Sequence, residues 1–371
     1  MRNILTGSKP KAQKKEDFRQ LFVDLSSKKA TLSKLLTSGI IVGSVLLSAC
    51  SDLTPESGNS DFPTQTSNQN TILSLVKSQS EPLIINANST FDSDQTENLR
   101  ATTAPGVDRG RFNITLKFIT PVTDRQNEVF TSAAARWERI IIGDIPSITG
   151  TLPSAFQGFP PVVQNGTIDD LIIEVAIAPI DGAGGILGQA GPRFLRLAGG
   201  LPVSGVMFFD VDDLDFLEEL DLFEDVIVHE MGHVLGVGTI WNSSGRTLRE
   251  GPASNPFFNG QAANVHWNSF GGAGLLPIEN IGGQGTAGSH WRESILRNEL
   301  MTGFLNLGTN PLSRITAASM NDLGYRAAVV GERYELPLLN ARVEGHEGEG
   351  INIGEMELLL EPIGYVTTEN Q

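Results

Sequence analysis

Cysteine is nearly absent from this chain: Cys50 is the single one among 371 residues. One thiol cannot build a disulfide framework, and none is left for a Cys-rich zinc site or a thiol nucleophile further along. Basic residues are also few, 27 Lys and Arg against 43 Asp and Glu, a formal charge of −16. A surface of that sign is repelled by phosphate backbones and anionic headgroups, which argues against nucleic-acid binding. Long apolar runs are missing too. The longest, within residues 35–47, falls short of the roughly 20 apolar residues that span a bilayer. There is no internal repeat, and the glycine-rich stretch 182–192 lacks the G-K-[ST] ending of a phosphate loop, so it reads as a surface loop.

What is present begins with an export signal. Residues 2–34 carry nine basic and three acidic side chains, and the apolar run follows directly. The run ends Leu47-Ser48-Ala49-Cys50, which resembles a bacterial lipobox. In that signal Cys50 becomes the first mature residue and carries a lipid, so the expected location is outside the cytoplasm, anchored to a bacterial membrane. Without residues 1–49, 18 of the 27 basic and 40 of the 43 acidic residues remain, so membrane contact is expected from the lipid and not from a basic patch.

Residues 50–105 are rich in Ser, Thr, Asn, Gln and Asp and read as a low-complexity tether or pro-region. From residue 106 the texture changes. Residues 111–120 alternate like a strand, and apolar residues then recur at helical spacing over about 124–142. Residues 170–178 and 205–210 are further strands, and 312–323 reads as a helix with Ser313 as its cap. This order predicts an α+β domain over 106–328, built on a mixed sheet with helices behind it. Residues 240–300 contain much Gly, Asn and Pro with little periodicity, which in a compact domain points to function. Residues 329–371 read as a C-terminal appendage.

The densest information is at His229-Glu230-Met231-Gly232-His233-Val234-Leu235-Gly236, an H-E-x-x-H-x-x-G run. Phe223, Val226, Ile227, Val234 and Leu235 mark a helix there, with Asp221 and Glu224 as a candidate capping box. Residues four apart share a helix face, so His229 and His233 can hold one Zn²⁺, with Glu230 placed to take a proton from water. A catalytic zinc needs a third protein ligand. The position three residues after Gly236 is Thr239, which leaves His266, His290, His346 or a Glu. The acidic residues at 210–213 could bind Ca²⁺ but lack EF-hand spacing, and read instead as a charged lead-in to the helix.

At this point the residues resemble the leishmanolysin-type metzincins, closest to bacterial members. The similarity rests on GSHWR at 288–292, NELMTG at 298–303, GQAGP at 188–192, LPVSG at 201–205 and SMNDLGY at 319–325. It covers about residues 107–326. The family inserts residues between the glycine and the third histidine, so the resemblance implies His290 as third ligand and Met301 as the methionine of the Met-turn. It also implies a metzincin-like zincin fold, with a zinc cleft between an N-terminal and a C-terminal subdomain. Where some metzincins carry a metal-facing Tyr two residues after that Met, this chain has Gly303, so no tyrosine switch is expected.

The resulting expectation is a lipid-anchored zinc endopeptidase acting on polypeptides, with Glu230 as general base and residues 205–210 as the edge strand that pairs with substrate. Two other readings remain: a silent surface lipoprotein that keeps the fold for binding or adhesion, and a zinc hydrolase acting on a non-peptide amide.

Overall fold

The computed structural model describes residues 73–90, 110–283, 285–336 and 350–368. Cys50, His346 and the signal and most of the tether lie outside the described residues. No helix among the described residues is long and apolar enough to cross a membrane.

A nine-stranded mixed sheet carries the molecule. Its main strands are β1 (Leu83–Thr90), β2 (Ile114–Phe118), β3 (Ser147–Leu152), β4 (Val163–Ile168), β5 (Leu171–Ile177), β6 (Gly188–Arg196) and β7 (Pro202–Phe209). Short strands β8 (Arg249–Glu250), β9 (Phe257–Phe258), β10 (Leu276–Pro277) and β11 (Leu305–Asn306) follow. The chain closes with β12 (Gly350–Ile351), β13 (Glu357–Leu359) and β14 (Gly364–Thr368). The order across the sheet is β2-β5-β7-β6-β14-β1-β3-β4, with β13 also on β6. β2, β5 and β7 are parallel, β6 runs antiparallel to β7, and β13 and β14 run parallel to β6.

Two helices cover one face. The first, α1 (Asp124–Ile140), opens with a capping box between Thr123 and Gln126, close to where the apolar period places it. Helix α2 (Val211–Glu219) leads into α3 (Phe223–Leu235), which carries the H-E-x-x-H run. Trp137 of α1 donates its Nε1–H to Val228 O at 2.9 Å, locking the two helices together. Their buried faces, including Phe130, Ala134, Trp137, Val226, Ile227 and Met231, form the main core with Ile173, Val175 and Met207 of the sheet. A second core on the opposite face of the sheet joins Ile148, Ile168, Ile172, Phe194 and Val203 to Ile363 and Val366.

Three sequence expectations change here. Helix α3 is not capped by Asp221: its N-cap is Leu222, which makes no side-chain cap and is fully buried, so packing overrides capping preference. Residues 182–192 are not all surface loop. From Gly188 onward the chain is β6, and Pro192 is tolerated because it stands at a register shift, where a missing N–H costs little. The strand at 205–210 is not an edge strand. Its residues 205–209 lie inside β7, between β5 and β6, so both hydrogen-bonding edges are taken, and Asp210 caps the next helix. The outer edge of the antiparallel pair belongs to β6, and there the chain's own C-terminal residues lie.

Residues 350–368 are thus woven into the sheet instead of standing apart. Val366 faces the second core at 1% exposure, whereas Leu358 in the same segment is 45% exposed. Val366→Asp is therefore expected to cost about 3–5 kcal/mol, as an unpaired buried charge does. Leu358→Asp should change stability by no more than about 0.5 kcal/mol. Urea melts of the two variants check this, and equal stability would remove β14 from the sheet.

Candidate metal centre

The site is built on the last turns of α3. His229 and His233 are four residues apart on one helical face, and both are fully buried. Gly236, with φ of 118°, ends the helix in a left-handed cap. The chain then doubles back. Gly238 has φ of 76°, and a Cβ there would stand 2.1 Å from the carbonyl oxygen of Ser289. Only glycine permits that approach, which brings His290 beneath the helix. Thr239, three residues after Gly236, donates its hydroxyl to His233 O at 2.7 Å.

Three imidazoles converge. The Nε2 atoms of His229 and His233 are 2.9 Å apart, and each is 3.1 Å from Nε2 of His290. Each Nδ1 meets a backbone carbonyl: Leu300 O at 2.7 Å, Val237 O at 2.8 Å and Thr286 O at 3.2 Å respectively. In a neutral ring the Nδ1 then carries the proton, and Nε2 presents a lone pair. Burial holds His229 below its ordinary pKa, which keeps that ring neutral.

A fourth donor joins them that the sequence reading missed. The Glu357 carboxylate lies 2.9 Å from His290 Nε2 and 3.3 and 3.5 Å from the Nε2 atoms of His229 and His233. Although burial pushes this carboxyl up, the imidazoles around it hold it well below its usual range, so it stands as an anion. Three lone pairs and an anion directed at one buried point repel each other unless a cation stands among them. His229, His233, His290 and Glu357 form a group that could hold a metal ion, and the donor set of imidazole nitrogen and carboxylate oxygen suits zinc.

Glu230 sits beside this cluster, fully buried, with neither carboxyl oxygen hydrogen-bonded. A Cβ on Gly188, at the start of β6, would lie 3.5 Å from its Oε1. Burial, and then the charge of Glu357, push the Glu230 carboxyl well above its normal range. It is a proton-holding group placed next to the donors and committed to nothing else.

Met301 is fully buried under the same helix. A Cβ on Gly232, between the two helical histidines, would meet both Met301 Sδ and the Trp137 ring at 2.9 Å. The turn is held by Glu299, whose Oε2 accepts Met301 N–H at 2.7 Å. Its Oε1 accepts the hydroxyls of Ser313 and Thr316 at 2.7 and 2.5 Å. Ser313 also caps the helix at Arg314–Leu323, as expected. The Trp291 backbone N–H donates to Met301 O at 3.0 Å, which ties the His290 segment to the Met301 turn.

His266 lies half-buried on the helix at Gln261–Ser269, away from the cluster. The acidic residues at 210–213 have other work. Asp210 accepts the N–H groups of Ile180, Asp181 and Gly182, and Asp213 accepts that of Gly184. They pin the glycine-rich loop, and the Ca²⁺ expectation gains no support from them. In a second acidic trio, Asp144, Asp169 and Asp170, the last two are engaged by donors from Asn113, Ile145 and Ser147.

Packing at Met301 is testable by volume. Met301→Leu should cost under about 1.5 kcal/mol. Met301→Ala should cost about 2–5 kcal/mol and, by loosening the floor under α3, lower metal affinity as well. Thermal melts with and without zinc would show this, and an unaffected Met301→Ala protein would remove the floor role.

A family model described as leishmanolysin, peptidase M8, matches residues 143–333, which takes in α3, His290 and Met301. Leishmanolysin of Leishmania donovani is 31% identical over 121 residues, 30% of this chain and 20% of that protein. The chain thus matches about a fifth of that relative's length. The mixed α+β architecture agrees with a metalloprotease fold, the family is zinc-dependent, and the model match spans half of the chain. On these grounds the chain belongs to the leishmanolysin family of metallopeptidases.

Proposed function

We propose that this protein is a zinc-dependent endopeptidase whose metal is held by His229, His233 and His290, with Glu230 as general base. The observation that carries the reading is the convergence of three Nε2 atoms beside a buried carboxyl that has no other partner. Zinc bound there would supply a Lewis acid that acidifies water and polarises a peptide carbonyl. The rest falls to the chain. Glu230, whose oxygens have no other hydrogen-bond partner, takes the proton that water gives up and delivers it to the leaving amine. Met301 and Trp137 fix the floor under α3, so the imidazoles need no rearrangement during turnover. An extended peptide would pair with the first residues of β6, beside Glu230, in the place that β13 takes in this structure. The cleft would run between the sheet on one side and the His290–Met301 layer on the other, the two subdomains of the proposal.

The proposed location is outside the cytoplasm, with a lipid on Cys50 as the membrane anchor. Cys50→Ser should then release the protein into the soluble fraction of fractionated cells, and continued membrane retention would end that part of the reading.

A second reading has one observation behind it. Glu357 completes four protein donors, as structural zinc sites do, which fits a silent binding or adhesion module. The two readings part on activity. The zinc-loaded chain is expected to cut unfolded casein, and Glu230→Gln should lower the rate at least about a hundredfold, at unchanged zinc content. Bound zinc without cutting, both in the chain and in its Glu357→Ala variant, would leave the binding module.

A further inference from the structure

Residues 350–368 follow a path that no ordinary edge strand needs. They begin by pairing β12 with β11, four residues beyond Met301. Gly354 N–H donates to Gly303 O at 3.0 Å, and a single 3-10 turn at Ile353–Glu355 follows. Glu357 then drops onto the three histidines. From there the chain runs along β6: Glu357 opposite Gly188, Leu359 opposite Ala190, and Gly364 opposite Phe194. Leu360 N–H donates to Ala190 O at 2.8 Å between the two paired stretches. The contact is close: a Cβ on Gly191 would stand 2.2 Å from Leu360 O. The segment therefore crosses from the Met301 wall to the sheet directly over the imidazoles, on the strand edge where a peptide would lie.

We propose that this segment is a built-in occupant of the cleft that holds the site latent, with Glu357 as a displaceable fourth metal ligand in the place of water. The inference rests on the metallopeptidase reading above.

Three features favour a displaceable plug over a permanent ligand. The first is an inverted pattern. Glu357 is buried with its side chain at 0% exposure, while the adjacent Leu358 is 45% exposed. A strand selected only for packing would place the leucine inward, and a buried carboxylate is expensive unless a cation repays it. The second is division of labour. Ile351 and Ile353 belong to the main core, and Ile363 and Val366 to the second, so both ends of the segment are anchored. The stretch between them that covers the histidines is Glu355, Met356 and the three residues of β13. Anchoring on both sides keeps Glu357 at high effective concentration, so a weak contact suffices to fill the site. The third is Glu230. A permanently closed structural site has no use for a second buried carboxyl with both oxygens free.

The test uses the full chain and its Glu357→Ala and Glu357→Gln variants, each loaded with Co²⁺ and titrated with acetohydroxamate by visible absorption. A segment that fills the cleft nine-tenths of the time lowers apparent ligand affinity about tenfold. Both variants should therefore keep one Co²⁺, show an altered cobalt spectrum and bind hydroxamate about ten times more tightly than the parent. Casein cleavage should rise by a similar factor and vanish when Glu230→Gln is added. Cobalt bound by all three proteins, with the same spectrum and hydroxamate affinity, overturns the latency proposal and leaves the peptidase reading standing. Cobalt held by the parent but lost from both variants makes Glu357 a permanent ligand, which also overturns it. No cobalt in the folded parent removes both readings together.

Discussion

The rest of the structure is arranged around one electrostatic problem: three imidazole lone pairs and a carboxylate meet at a point with no water access. Such a cluster cannot persist by packing alone, because each donor loses hydration and gains only repulsion from the others. A divalent cation reverses every sign. The scaffold's role is to keep the donors together so that the ion finds them formed. Backbone carbonyls of Leu300, Val237 and Thr286 fix each ring's tautomer and rotation. These three carbonyls come from the Met301 turn, the loop after α3 and the approach to His290. The metal would thus bind three separate parts of the chain to one helix.

The same problem explains why the C-terminal residues run through the sheet. Strand β6 would otherwise show a row of unpaired N–H and C=O groups beside the site, an edge that invites any extended chain. Pairing it with β13 and β14 closes that edge intramolecularly. In a peptidase the edge is also where substrate belongs, so guarding against unwanted pairing and restraining activity use the same hydrogen bonds.

Legibility in the sequence followed locality. The α3 pair was readable because its spacing is a helical period, and α1 and the Ser313 helix because their caps and stripes are local. His290 was only one of several candidates by chemistry, 57 residues from His233; family resemblance singled it out. Its approach depends on Gly238 meeting Ser289, a contact without a periodic signature. Strand β6 was hidden because Gly188, Gly191 and Pro192 imitate a turn, while the bulge and the close approach of Leu360 are tertiary facts. Glu357 was hidden most completely. In a short run alternating Glu with Leu and Met, an inward leucine is the natural reading, and nothing local reports that histidines stand on the other side.

That inversion also constrains how such a site could open. Strand β14 contributes apolar side chains to the second core and bridges β6 to β1, so its release would divide the sheet. Ile351 and Ile353 are buried in the main core and hold the start of the segment. The stretch over the histidines carries fewer such contacts: Met356 is half-buried and Leu358 is exposed. Local opening free energies follow buried apolar contact, so residues 355–360 can lift while Ile353 and β14 stay in place. Glu357 is the chief tie in that stretch, and its strength would depend on an ion bound there. A substrate carbonyl and water would offer that ion replacement oxygens. The peptide backbone likewise offers β6 a replacement strand. Displacement then exchanges like for like, which lets the buried cluster be stable when closed without being inaccessible.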